Sequence, residues 1–206
     1  DNGFQICTHA IGDMANREVL NIYNKHLKKG NDSRFRIEHA QHIDLKDIPR
    51  FSELGVIAAI QGIHMSSDRP WAIDRLGKKR IVDSAYPWQK LYQSGAMIIN
   101  GTDAPVEPIN PIPSFYASVS RKTLNKTPEG GYEPGEKMSR ELALRSYTIN
   151  GAYAAFEEDL KGSIEVGKLA DFTVLDKDIL LIDEDEILET KIEMTIIGGE
   201  VVYKKR

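Results

Sequence analysis

A single cysteine, Cys7, in 206 residues leaves no partner for an intrachain disulfide and no basis for a thiolate-only zinc site. It fits a reducing compartment, and the cytoplasm is the expected location. No apolar run approaches the roughly 20 residues that a membrane span needs, and no secretory n-region or h-region is found in these residues. No membrane partner is expected. A basic excess is missing too: 27 Lys and Arg stand against 31 Asp and Glu, a net charge of −4. Nucleic-acid surfaces show the opposite balance, so no nucleic-acid partner is expected. The short basic clusters Gly77-Lys78-Lys79-Arg80 and Lys204-Lys205-Arg206 read as solvated faces. No Gly-rich phosphate loop follows any predicted strand, which sets aside a phosphate-binding βα protein. Asp1-Asn2-Gly3 reads as a loop before a strand, without an initiator Met, so the chain is expected to start inside a longer protein.

What is present is an alternation of strand and helix patterns. Phe4–Thr8, Phe35–Glu38, Val56–Ile60 and Ala96–Asn100 read as strands. Val56–Ile60 is apolar throughout, as strands buried on both faces of a parallel sheet are. Between them, Met14–Lys29 sets Ala15, Val19, Ile22, Tyr23 and Leu27 on one helical face. Asp13 stands at its cap position, and Gly30 at its end. Ile48–Leu54 reads as a helix with Asp47 as cap, Pro49 in the first turn and Gly55 as terminator. Another is expected at about Tyr86–Gln93, while Gln61–Arg80 reads as a long irregular stretch. Four strands alternating with helices imply parallel βα units.

Beyond Asp103 the texture changes. Pro105, Pro108, Pro111 and Pro113 stiffen a loop into a helix over Ser114–Lys122, and Thr127–Lys137 reads as a mobile Gly/Pro/Glu-rich segment. Ser139 caps a helix to about Ala155, bent near Asn150-Gly151. The tail is β-like: Phe172–Leu175, then Lys191–Ile197 and Glu200–Tyr203 joined by Gly198-Gly199, a two-residue hairpin turn. Asp183–Glu186 reads as a solvated acidic loop.

Functional groups of parallel βα architectures collect where strands end and βα loops begin. Three strand ends carry suitable chemistry: His9, His39 and Asp103. Singly, each is explained by an ordinary structural role. Together, two imidazoles and a carboxylate from three strands form the donor set of a zinc-type site. His64, after the third strand, and Arg69, in the same loop, are candidates for substrate contact. Cys7 shares the face of His9 by the strand period of two and is expected to fill space.

Four segments carry a resemblance to a known family. His9-Ala10-Ile11-Gly12-Asp13, Arg36-Ile37-Glu38-His39-Ala40-Gln41, Gly101-Thr102-Asp103-Ala104-Pro105 and Gly167-Lys168-Leu169-Ala170-Asp171-Phe172 together resemble the amidohydrolase superfamily. The similarity is greatest to the metal-dependent branch that includes N-substituted formamide deformylase. It implies an α/β fold, the C-terminal half of a (β/α)8 TIM-type barrel plus the C-terminal strands of a small β-sandwich domain. The barrel portion would occupy residues 1–160 and the sandwich portion 161–206. It further implies one or two divalent metals, usually zinc, and hydrolysis of C–N bonds other than peptide bonds in a small amide-like substrate. By that resemblance His9 and His39 are metal ligands from the fifth and sixth strands. Asp103, from the eighth, binds metal and relays a proton as the catalytic residue. The superfamily's His-x-His pair occurs nowhere in these residues. The chain alone is therefore expected to be inactive, and a non-catalytic fragment or binding module is the alternative. A half-barrel exposes sheet edges and an apolar face, so a homo-oligomer or association with the missing N-terminal half is expected.

Overall fold

The computed structural model describes residues 3–206. Asp1 and Asn2 of the expected opening loop lie outside the described residues. Four parallel strands, β1 (Cys7–Ala10), β2 (Arg36–His39), β3 (Ile57–Ile60) and β4 (Ile98–Asn100), form one sheet in chain order. The helices α1 (Asp13–His26), α2 (Ile48–Leu54), α3 (Gly62–Ser84) and α4 (Trp88–Gln93) fall between or after them. In sequence, α5 (Pro111–Ser120), α6 (Arg140–Tyr147) and α7 (Ile149–Ala154) follow β4. Antiparallel strands β5 (Phe172–Leu175), β6 (Ile192–Ile197) and β7 (Glu200–Lys204) make a separate three-stranded sheet. No helix among the described residues is long and apolar enough to cross a membrane.

Register explains which side chains meet. Cys7 is level with Arg36, His9 with Glu38, and Glu38 with Ala59. Thr8, one residue out of phase, turns the other way, to the Tyr23 hydroxyl of α1 at 2.7 Å. Ile37 and Ile98, on the helix-facing side, are buried among Leu20, Phe51, Ile60 and Leu91. Each such aliphatic side chain contributes about 1.5–3 kcal/mol relative to exposure. The opposite face holds Cys7 and His9, both exposed, and the Arg36–Glu38 ion pair at 2.9 Å. Cys7 thus lines an open face rather than a filled interior.

Several local expectations are corrected. Gln61–Arg80 is not irregular but lies mainly within α3, in which two helical runs meet at Gly77 (φ 75°, ψ 159°). Pro70 and the polar run Ser66-Ser67-Asp68 mask it in the sequence, since proline removes a helix donor. Tertiary contact overrides that penalty: a Cβ on Gly62 would stand 2.6 Å from the Ser114 carbonyl oxygen, so only glycine lets α3 approach α5 this closely. The segment Thr127–Lys137 is bonded rather than loose. Its Glu133 takes Arg69 at 2.6 Å and Arg121 at 3.3 Å, and the buried Glu136 accepts from the Gln89 backbone N–H at 2.9 Å. The acidic loop at Asp183–Glu186 is largely a 3-10 turn over Glu184–Glu189, pinned by Lys122 to Asp185 at 2.8 Å and Lys137 to Glu184 at 2.9 Å. Gly12 rather than Asp13 caps α1; Asp13 accepts from the Met14 N–H and pairs with Arg80 at 2.7 Å. By contrast α2, β5 and the Gly198-Gly199 turn lie where the pattern puts them.

Candidate metal centre

The carboxyl ends of β2, β3 and β4 converge on one small volume. His39, the last residue of β2, has a φ of 75°, and Ala40 follows at 43°. By strand alternation His39 belongs with the helix-facing residues, level with Ala10. The left-handed turn swings its ring back, so that it meets His9 edge-on with centroids 4.5 Å apart. Asp103, three residues beyond β4, also has a positive φ, 59°. Such backbone costs a non-glycine residue roughly 1–3 kcal/mol and collects at functional sites.

His64 sits in the first turn of α3, buried, its ring stacked on His39 at 5.6 Å and 22°. Its Nε2 lies 3.8 Å from Asp103 Oδ2 and has no hydrogen-bond partner among the described residues. An orphaned buried imidazole nitrogen aimed at a carboxylate is costly unless something else fills the gap. One donor atom from each of His39, His64 and Asp103 lies within 4.8 Å of the other two. A first-row divalent cation fits this donor set of neutral nitrogen and carboxylate oxygen.

Two neighbours fix the geometry. Gln61 donates through Nε2 to the Ala59 carbonyl at 3.2 Å, which leaves its Oε1 to accept from His39 Nδ1 at 2.7 Å. His39 therefore keeps its Nε2 lone pair for a cation, the arrangement that orients metal-binding histidines. Burial holds the His39 imidazole below its ordinary pKa; His9 and His64 act the same way, against Gln61 and Asp103. A neutral ring is the form that binds metal. Asn100 ties the other side: its Oδ1 accepts from the Gly62 N–H at 3.0 Å and its Nδ2 donates to Ser118 at 2.9 Å. That anchors the start of α3, and with it His64, to the end of β4.

Of the residues singled out in the sequence, His39, His64 and Asp103 come together. His9 touches His39 but lies outside the three-donor group, exposed on the open face. Arg69 is turned elsewhere: buried, it donates through Nε and Nη2 to Glu133 and lies 4.6 Å from the Tyr132 ring centroid. Gln61 escaped sequence reading, although its place immediately after a strand was a usable signal.

The whole pattern has known counterparts. Residues 1–203 match the amidohydrolase family. The chain belongs to that family. It is 36% identical over 205 residues to the amidohydrolase YtcJ of Bacillus subtilis (strain 168), covering 100% of this chain and 38% of that protein. It is 28% identical to the N-substituted formamide deformylase of Arthrobacter pascens, covering 98% of this chain and 37% of that enzyme. In three dimensions it is similar to a metal-dependent hydrolase from Pyrococcus furiosus, with a TM-score of 0.71 and 32% identity over 86% of this chain and 34% of the other. The chain thus spans well under half the length of these amidohydrolase relatives.

Proposed function

We propose that this amidohydrolase chain is the C-terminal metal-holding part of a hydrolase of C–N bonds other than peptide bonds. The observation that carries this reading is the convergence of His39, His64 and Asp103, with His64 Nε2 buried and unpartnered. His9, beside His39, would complete the histidine side of the site. A bound divalent cation, zinc by the chemistry of the donors, supplies activation of water and of the substrate carbonyl at neutral pH. His39 and His64 would hold it through their free ring nitrogens. Asp103, exposed at the rim, would take the proton of the attacking water and return it to the departing nitrogen. The similarity to the formamide deformylase supports an amide-like small molecule as substrate.

In this reading the parallel sheet is four strands of an eight-stranded barrel. The β1 and β4 edges, each paired on one side only, are where the remaining strands or a second copy would attach. The three-stranded sheet is the returning part of a β-sandwich. One observation favours binding without turnover by this chain alone: the sequence contains no His-x-His pair to add further ligands.

The test is cobalt or zinc titration of the chain under chelator competition. One equivalent should bind, and His39→Ala should lose at least about 100-fold in affinity, as even outer groups cost 10–100-fold. An unchanged affinity in that variant overturns the assignment. Turnover of N-substituted formamides by the loaded chain would rule out the binding-only alternative.

A further inference from the structure

Tyr86 takes no part in the chemistry proposed above, yet its placement is demanding. It is 1% exposed and adopts a φ of 49°. A bulky residue persists in that left-handed region only where its surroundings impose it. Arg121 imposes it here. From a fully buried guanidinium, 4.7 Å from the Trp88 ring centroid, Nη1 donates to the Tyr86 carbonyl at 2.9 Å. The Tyr86 backbone N–H donates to the Gln41 carbonyl at 2.7 Å. Its hydroxyl accepts from Gln41 Nε2 at 3.0 Å and donates to the His64 carbonyl at 3.3 Å. Burial pushes the phenol above its ordinary value, so it keeps the proton it donates.

These bonds join the two elements that carry the histidines. Gln41 stands two residues beyond His39, and the His64 carbonyl belongs to the second imidazole's own backbone. His39 ends β2 and His64 opens α3, with β3 between them in sequence. Productive metal geometry must be held to within about 0.5 Å, and a cross-tie between the two elements does that work.

We infer that Tyr86 is a positioning residue: by bridging Gln41 and the His64 carbonyl, it sets the spacing of the His39 and His64 rings. The inference rests on the metal-site reading. A tyrosine that only filled the core would act through its ring, which lies edge-on to His42 at 5.4 Å and to Trp88 at 6.1 Å. Tyr86→Phe separates the two roles, since it keeps the ring and deletes the hydroxyl. Tyr116→Phe is the control: that tyrosine is equally buried, and its hydroxyl serves Asp185 at 2.9 Å instead.

Cobalt(II) affinity and visible spectra of the full chain read the result. Tyr86→Phe should bind Co(II) about tenfold more weakly, with a shifted d–d band and a melting temperature within a few degrees of wild type. Tyr116→Phe should keep wild-type affinity. Gln41→Met breaks the same bridge from its other end and should weaken binding comparably, which also serves if Tyr86→Phe does not fold. Wild-type affinity and spectrum in Tyr86→Phe or in Gln41→Met overturn the inference while leaving the metal site standing. Equal weakening in Tyr116→Phe overturns it too, as general loosening. Failure of the wild-type chain to bind Co(II) overturns the site reading and this inference with it.

Discussion

Strand β3 of the parallel sheet buries all four of its residues, whereas β7 of the antiparallel sheet exposes all five. The parallel sheet is covered by helices on one face, and its strands end in strained backbone at His39, Ala40 and Asp103. The antiparallel sheet turns at two glycines, Gly198 and Gly199, where a positive φ costs nothing, and leaves Val201, Val202 and Tyr203 about half exposed. Burial and strained backbone are thus concentrated in the same place. A well-buried scaffold can hold unfavourable dihedrals and an orphaned imidazole at its edge; a thinly covered sheet cannot.

The comparison breaks most readily at the ion cluster behind the site. Glu133→Ala strands Arg69 and Arg121 without their shared carboxylate; burial already lowers the Arg121 pKa to about 10, against the pull of Glu133 and Glu136. Removing one member of a buried ion pair costs about 3–5 kcal/mol, and urea unfolding should show a loss of that size. A loss below about 1 kcal/mol would mean that the segment Thr127–Lys137 does not clamp α3. A matched pair of truncations sharpens the contrast between the sheets. Truncating the fully buried Ile37 of β2 to alanine (Ile37→Ala) should cost about 2–5 kcal/mol, and Val202→Ala in exposed β7 about 0.5 kcal/mol or less. Similar costs at the two positions would show that the antiparallel sheet is covered in solution.

A last effect is pH-dependent and appears only on acidification. Burial lowers the His42 pKa to about 4, with Arg80 acting in the same direction and Asp13 and Asp68 opposing. The unfolded chain takes up this proton near pH 6.5 and the folded chain only near 4, so stability falls as pH drops through that window. The contribution reaches about 3 kcal/mol at its lower end. His42→Phe, which keeps a ring against Tyr86 and removes the unpartnered Nδ1, should flatten that acid limb. An unchanged slope would assign the acid sensitivity to other groups.

Much of the fold was legible in the residues because it is local. The β/α alternation, the α2 boundaries with Asp47 and Gly55, the β5 span and the Gly198-Gly199 hairpin follow from periodicity and turn chemistry acting over a few positions. His39 and Asp103 stood out as polar residues at the ends of apolar runs. Helix α3 was hidden, because Pro70 argues against a helix locally and Gly77 does break it into two runs, while the contact that holds its start, Gly62 against α5, lies far along the chain. The ion partners of Arg69, sixty-four residues away at Glu133, have no local signature either.

The sequence by itself determined most of the elements and which polar side chains stand at strand ends, since both depend on neighbours within a turn or a pleat. Only the tertiary structure decided that His64 joins His39 and Asp103 while Arg69 is committed to Glu133. It also decided that Gln61 accepts from the His39 ring and that the Tyr86 hydroxyl donates to the His64 carbonyl. Those pairings cross twenty or more residues, and they are selected by burial and hydrogen-bond satisfaction in the closed structure, where an unpaired polar group costs far more than it does along an open chain.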